Sequence, residues 1–262
     1  MVTNLKLAKI FWNITATFAL ISALAGVISK NIYNNLFPLE FLPGAFPQDV
    51  ITVLLCLIMF WLSNSIKQND IKKQIVMTGL LGSLFYLYGI FVIERVYNWF
   101  YLFYAAAFTS SFWSLIYTLS GFKSERFSNL KISKAMLRTT AYSSLIIAIV
   151  FSALWIAALI PLMRDNNRIE FLYSIYILDL CFIMPAFAIT AIMSLRNKPL
   201  GILLAPAIMI LGFFVIFPLG LNELGKPYYG LQFNFGPMFV SFAFAIFMLT
   251  IAVLHLKKIK FE

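Results

Sequence analysis

The residues with the clearest chemical potential are carboxylates at matched spacing. Glu40-Phe41-Leu42 is followed by Asp49, and Glu170-Phe171-Leu172 by Asp179, with the same distance from Glu to Asp in both. Each Asp opens a long apolar run that ends in a serine, Ser63 and Ser194. Two more acids stand at corresponding places further on: Glu94 after Gly89-Ile90-Phe91-Val92-Ile93, and Glu223 after Gly212-Phe213-Phe214-Val215-Ile216. Carboxylates next to hydrocarbon are costly and mark ion or proton pathways by default. Asp179, Asp49, Glu223 and Glu94 are therefore the candidate residues for binding a solute or ion.

The elements that must hold them are membrane helices. Hydrophobic residues make up 62% of the chain and charged residues 11%, where a soluble domain is near half apolar and a quarter charged. A spanning helix needs about 20 apolar residues, and the sequence predicts eight: roughly Leu7–Ser29, Asp49–Ile66, Gln74–Val96, Trp99–Gly121, Thr139–Met163, Phe171–Leu195, Leu200–Leu224 and Gly236–Leu256. The fold class is an all-α polytopic membrane protein in a single transmembrane domain. Helices three and four are joined by a tight hairpin at Tyr97-Asn98. Ala23-Leu24-Ala25 has the small-x-small form of a signal cleavage site, but the run is long enough to span and reads as the first helix.

Basic residues set the orientation, because short cytoplasmic loops collect Lys and Arg. With the N-terminus inside, Lys6, Lys9, Lys67, Lys72, Lys73, Lys123, Arg126, Lys131, Lys134, Arg138, Arg196, Lys198, Lys257, Lys258 and Lys260 fall inside, and Lys30, Arg95, Arg164, Arg168 and Lys226 outside. The acids divide the other way. Only Asp70, Glu125 and Glu262 fall inside, and the four candidates join Glu40, Asp165 and Glu170 on the outer half. Both termini are expected in the cytoplasm, with the chain in the cytoplasmic membrane. The net charge of +10 is thus a topology signal and calls for no nucleic acid.

The matched segments predict two parallel four-helix repeats, 1–121 and 122–262, with Asp49 equivalent to Asp179 and Gly89 to Gly212. Transporters built from repeats hold their sites at the repeat interface. Two readings of each aspartate stay open. Asp49 follows Pro43-Gly44-Ala45-Phe46-Pro47-Gln48, which reads as a shaped turn, so Asp49 would sit as the N-cap of helix two. Asp179 lies eight residues into a helix starting at Phe171, about 12 Å deep, where it must face a cavity, meet a partner or carry a proton. If that helix starts later, Asp179 is its cap. Pro185, and Pro206 and Pro218 in helix seven, favour kinked or interrupted helices beside the acid.

Other signals are structural. Glu94 and Arg95 read as an interfacial pair, with Arg164 and Arg168 as further partners for the acids. Ala105-Ala106-Ala107 with Ser110, Ser111 and Ser114 predicts close helix packing. Tyr86, Tyr88, Tyr101 and Tyr104 read as belt or packing residues. Cys56 and Cys181 read as small hydrophobes, and with one histidine, His255, no haem, zinc or other cofactor is expected.

Pro43-Gly44-Ala45-Phe46-Pro47-Gln48-Asp49, Asn98-Trp99-Phe100-Tyr101-Leu102-Phe103-Tyr104 and Leu178-Asp179-Leu180 with Pro185 resemble a group of prokaryotic multi-pass membrane proteins without assigned function. The resemblance implies a cytoplasmic membrane protein and brings no catalytic residue.

Three functions follow. The first is a small-solute permease, or a cation- or proton-coupled transporter, with an outer acidic site. The second is a non-enzymatic sensor, accessory protein or partner of other membrane subunits. The third is a membrane enzyme working through carboxylates, since the chain has no Gly-x-Ser-x-Gly elbow, His pair or P-loop. No lysine lies deep in a predicted helix to hold retinal, since Lys9 falls in the first turn of its helix. The expected partners are the lipid bilayer and a small solute or cation.

Overall fold

A computed structural model of the protein describes residues 2–123, 127 and 130–261. Glu125, Arg126 and Glu262, counted above toward the inner side, lie outside the described residues. The chain forms a helical bundle: α1 (Leu5–Ile28), α2 (Leu42–Ser65), α3 (Ile71–Ile93), α4 (Tyr101–Ser120), α5 (Lys134–Arg164), α6 (Tyr173–Leu178), α7 (Met184–Leu195), α8 (Pro199–Gly225) and α9 (Phe235–Lys258). Helices α6 and α7 are two parts of one span, joined by a π turn at Asp179–Ile183. Counted this way, eight helical spans among the described residues are long and apolar enough to cross a membrane, which fits a multi-pass membrane protein.

The ends of these helices follow local chemistry. Asn4 accepts the Leu7 N–H at the start of α1, and Ser133 accepts the Met136 N–H at the start of α5, each satisfying a donor that the first turn leaves free. Asn98 closes the α3–α4 hairpin, accepting the Phe100 N–H and donating to the Tyr104 hydroxyl.

Helix α2 starts at Leu42, so the segment expected to be a turn is helical, and Asp49 is not a cap. Pro43 fills the first turn, where its missing N–H is not needed. Pro47 leaves the Pro43 carbonyl without its helical donor, and Gly225 at the end of α8 packs against that carbonyl.

Within residues 1–121, α1 packs on α2 and α4, and α3 on α4; within residues 122–262, α5 packs on α7, more lightly on α9, and α8 on α9, while α7 packs on α8 far more closely than α2 does on α3. The halves meet where α3 crosses α8, with Gly79 of α3 close against Ala207 and Ile210. Buried share follows this order: 83% of the apolar window of α3 and 61% of that of α8, against 11% for α5. Central helices need apolar surface all round, while peripheral ones leave most of it to lipid.

Polar side chains stitch the helices where carbon alone would not specify register. Trp12 Nε1 donates to Thr118 Oγ1 at 3.0 Å, and Thr15 meets Ser114 at 2.9 Å, tying α1 to α4. The small-residue face of α4 thus packs closely, as its sequence predicts. Pro206 does not interrupt α8. Lacking an N–H, it leaves the Ile202 carbonyl without a helical donor, and His255 Nε2 of α9 takes that place at 3.0 Å. The other ring nitrogen meets Thr140 of α5 at 2.8 Å.

Both termini are tied to one end of the bundle. The Val2 N–H donates to Gln74 at the start of α3, and Lys260–Phe261 pairs antiparallel with Leu130–Lys131. The opposite end carries the α1–α2, α3–α4, α5–α6 and α8–α9 connections and is called the loop end below.

Candidate functional site

Asp179 sits where α6 stops being an α-helix. That helix begins at Tyr173 after Leu172 in the left-handed region, φ 69°. Asp179 is therefore six residues in, about 9 Å along the helix axis. Its carbonyl accepts the Met184 N–H, five residues on, instead of a fourth-residue donor. Pro185 explains the wider turn: it has no N–H to continue the ladder, and its ring would press on the preceding turn. π turns of this kind occur often at functional sites.

The carboxylate is buried, 5% exposed. Trp155 Nε1 of α5 donates to Oδ2 at 2.7 Å, while Oδ1 is buried without a hydrogen-bond partner. Reading Asp179 as an interfacial cap fails, since its bond is to an indole side chain deep in the span. The Tyr86 hydroxyl of α3 reaches the carboxylate as a second, weaker hydrogen-bond donor, and Oδ1 is left without a full hydrogen bond. Asp179 lines a cavity of about 170 Å³ whose walls come from both halves: Gln48 of α2, Tyr86 and Ile90 of α3, Phe151 and Trp155 of α5, Phe187 of α7, Val215 and Pro218 of α8, and Met248 of α9. Apart from the Asp179, Tyr86, Trp155 and Gln48 side chains, the lining is apolar.

Comparison with known proteins brings no relative. No family model matches the chain, and neither a curated protein nor a solved structure does.

The four carboxylates expected at one site are divided. Asp49, 3% exposed, lies outside this cavity among α1, α2 and the 3-10 turn Lys30–Tyr33, and the Tyr33 hydroxyl donates to its Oδ2 at 2.8 Å. Burial, and then the Asp49 carboxylate, push ionisation of the Tyr33 hydroxyl well above the usual phenol range, so Tyr33 remains a donor at any ordinary pH. Gly26 of α1 lies so close that a Cβ there would overlap the carboxylate. Asp49 and Asp179 thus flank α3 from two sides. Tyr88 faces the first and Tyr86 the second, as two residues two apart on a helix must point in nearly opposite directions.

Glu94 is turned inward, against the expectation of an interfacial pair with Arg95. Its Oε1 accepts the Ser174 N–H at the start of α6, and Oε2 is buried without a partner. Arg95, at φ 57°, instead donates from Nε to the Tyr173 hydroxyl, and Arg164 pairs with its neighbour Asp165. Glu223 is held by Lys226, with Oε2 likewise unpartnered. Neither glutamate lines the cavity.

The sequence reading missed Trp155, Gln48 and Tyr33 and set Tyr86 aside as packing. Only for Tyr86 was there a local signal, the Tyr-x-Tyr spacing that sends one hydroxyl toward each half.

Proposed function

We propose that this chain is a cation- or proton-coupled permease of the cytoplasmic membrane, with both termini in the cytoplasm and Asp179 as its coupling group. The observation that carries the reading is the unpartnered Asp179 Oδ1 on a cavity between the two halves. Leaving such a group unpaired costs about 1–3 kcal/mol, and a transported cation or proton recovers that cost when it binds. The cavity reaches from Gln48, Ile175 and Leu219 near the loop end to Met248 deeper in the bundle, in keeping with entry from the outer side. The partly matching neighbour order supports two parallel four-helix repeats, 1–121 and 122–262, with α3 and α8 as their seam. Positive-inside bias supports the orientation. Glu94 acts in this scheme as an anchor for α6, and Asp49 as a structural counterpart in the first half.

The second reading, an accessory membrane subunit, draws on α5. Its exposed Ile146, Ile149, Leu154 and Ile160 would face a partner helix as readily as lipid. Carboxylate-pair catalysis has no geometric support, because Asp49 and Asp179 do not share a cavity.

Asp179→Asn tests the proposal, since its amide oxygen keeps the Trp155 bond while the charge is lost. In proteoliposomes carrying a pH-sensitive dye, the wild type should pass protons when a gradient is imposed. The variant should lose at least tenfold of that flux while melting within a few degrees of the wild type. Equal flux in both proteins would overturn the assignment.

A further inference from the structure

The chemistry of the same cavity narrows what it takes, an inference that rests on the permease reading for its biological meaning but not for its binding test. An inorganic cation gives up its hydration shell only to several oxygens, six to eight for calcium. The cavity offers one free carboxylate oxygen, with the Tyr86 hydroxyl and Gln48 amide as the remaining side-chain oxygens on its wall. Among the described residues no group of three His, Cys, Asp or Glu side chains could hold a metal ion. The rest of the wall is apolar and aromatic, including Phe151, Phe187, Val215 and Met248. Such a surface repels a hydrated ion and rewards the burial of hydrocarbon.

We infer that the cavity binds a small organic ammonium ion: a primary or secondary amine with one aryl or short alkyl body, its N–H on Asp179 Oδ1 and its body against the apolar wall. The two halves of that ligand answer the two halves of the site. Oδ1 is an acceptor without a donor, and an ammonium N–H supplies one along with the opposite charge, the stronger kind of hydrogen bond. The Trp155 and Tyr86 side chains stand beside the carboxylate and add aromatic surface to the wall. The volume sets the size. An apolar cavity of about 150 Å³ accepts benzene, so about 170 Å³ suits a single ring bearing an aminomethyl group. Oδ2 is already occupied by Trp155, which fixes the carboxylate and leaves one direction for the amine to approach.

Four probes separate the contributions in the purified full-length protein reconstituted in nanodiscs. Benzylammonium has charge, N–H and ring; benzyltrimethylammonium keeps charge and ring but no N–H; benzyl alcohol keeps the ring without charge; sodium has charge alone. Benzylammonium should bind at least tenfold more tightly than the other three. That preference should vanish in Asp179→Asn and persist in Asp165→Asn, which removes an exposed acid from the loop end. Val215→Phe, which fills the cavity and spares the carboxylate, should weaken benzylammonium at least tenfold. Benzyl alcohol binding as well as the amine, sodium competing at similar concentration, or an unchanged preference in Asp179→Asn would each overturn the inference. Selective amine binding without Asp179-dependent flux would overturn the permease reading alone. Asp179-dependent flux without amine preference would leave that reading and remove this one.

Discussion

At the scale of single residues, two aspartates that look equivalent in sequence are satisfied in different ways. Asp49 has a phenol and lies outside the cavity; Asp179 has an indole, a place on the cavity wall and one idle oxygen. The sequence offered Asp49 as a cap because Pro and Gly cluster before it, and that inference failed because prolines are tolerated within the opening turns of a helix. Tyr33 could not be foreseen as its partner, since the bond spans a 3-10 turn and a helix start with no periodic signal. Replacing Tyr33 by Phe removes the hydroxyl and leaves Asp49 Oδ2 buried without a donor, a loss of about 1–3 kcal/mol. The variant should melt several degrees below the wild type in a detergent thermal scan, and Asp179-dependent flux should continue in whatever protein remains folded.

Among the elements, the span formed by α6 and α7 carries the most specific information. Pro185 was readable as a disturbance, but its form was not: the sequence allowed a kink with an unpaired carbonyl, and the chain instead widens one turn by a residue. One residue of an α-helix turns the chain by about 100°, so the widened turn decides which way Asp179 faces. Pro185→Ala restores an N–H and permits an unbroken α-helix. The variant should be at least as stable as the wild type by thermal melting yet lose tenfold or more of its Asp179-dependent flux, because the carboxylate rotates away from Trp155. Full flux together with unchanged melting would show that the turn is set by packing and not by the proline. Helix α8 makes the contrast, since Pro206 and Pro218 leave it continuous.

Over the whole molecule, the class, the eight spans and the division of charge between two ends were legible, because mean hydropathy of +0.90 and runs of membrane length leave few alternatives. The choice of α3 and α8 as central helices was not. Both are apolar, like their neighbours, and only their glycines and alanines at the crossing mark them. Membership of the site was likewise hidden, since the cavity collects residues from seven helical segments and the turn between two of them. Orientation is open to direct measurement through two exposed asparagines on opposite ends of the bundle. Cysteine at Asn166 should react with an impermeant thiol reagent added to intact cells, and cysteine at Asn197 should react only after the cells are opened. Reversed labelling would place the loop end in the cytoplasm and the candidate cavity on the wrong side for entry from outside.

The bond from His255 to the Ile202 carbonyl that Pro206 leaves free has a consequence for how such a chain can change over generations. The proline creates an acceptor that the histidine fills, so neither residue's worth is its own. Losing His255 first strands the Ile202 carbonyl between α8 and α9. Losing Pro206 first, for a residue with an N–H, lets the helix reclaim that carbonyl and leaves the imidazole with only Thr140 to hold. The two routes to the same double substitution therefore differ in their intermediate, and the path through position 206 is the passable one. A descendant that had exchanged His255 for an apolar residue would be expected to have given up its proline beforehand.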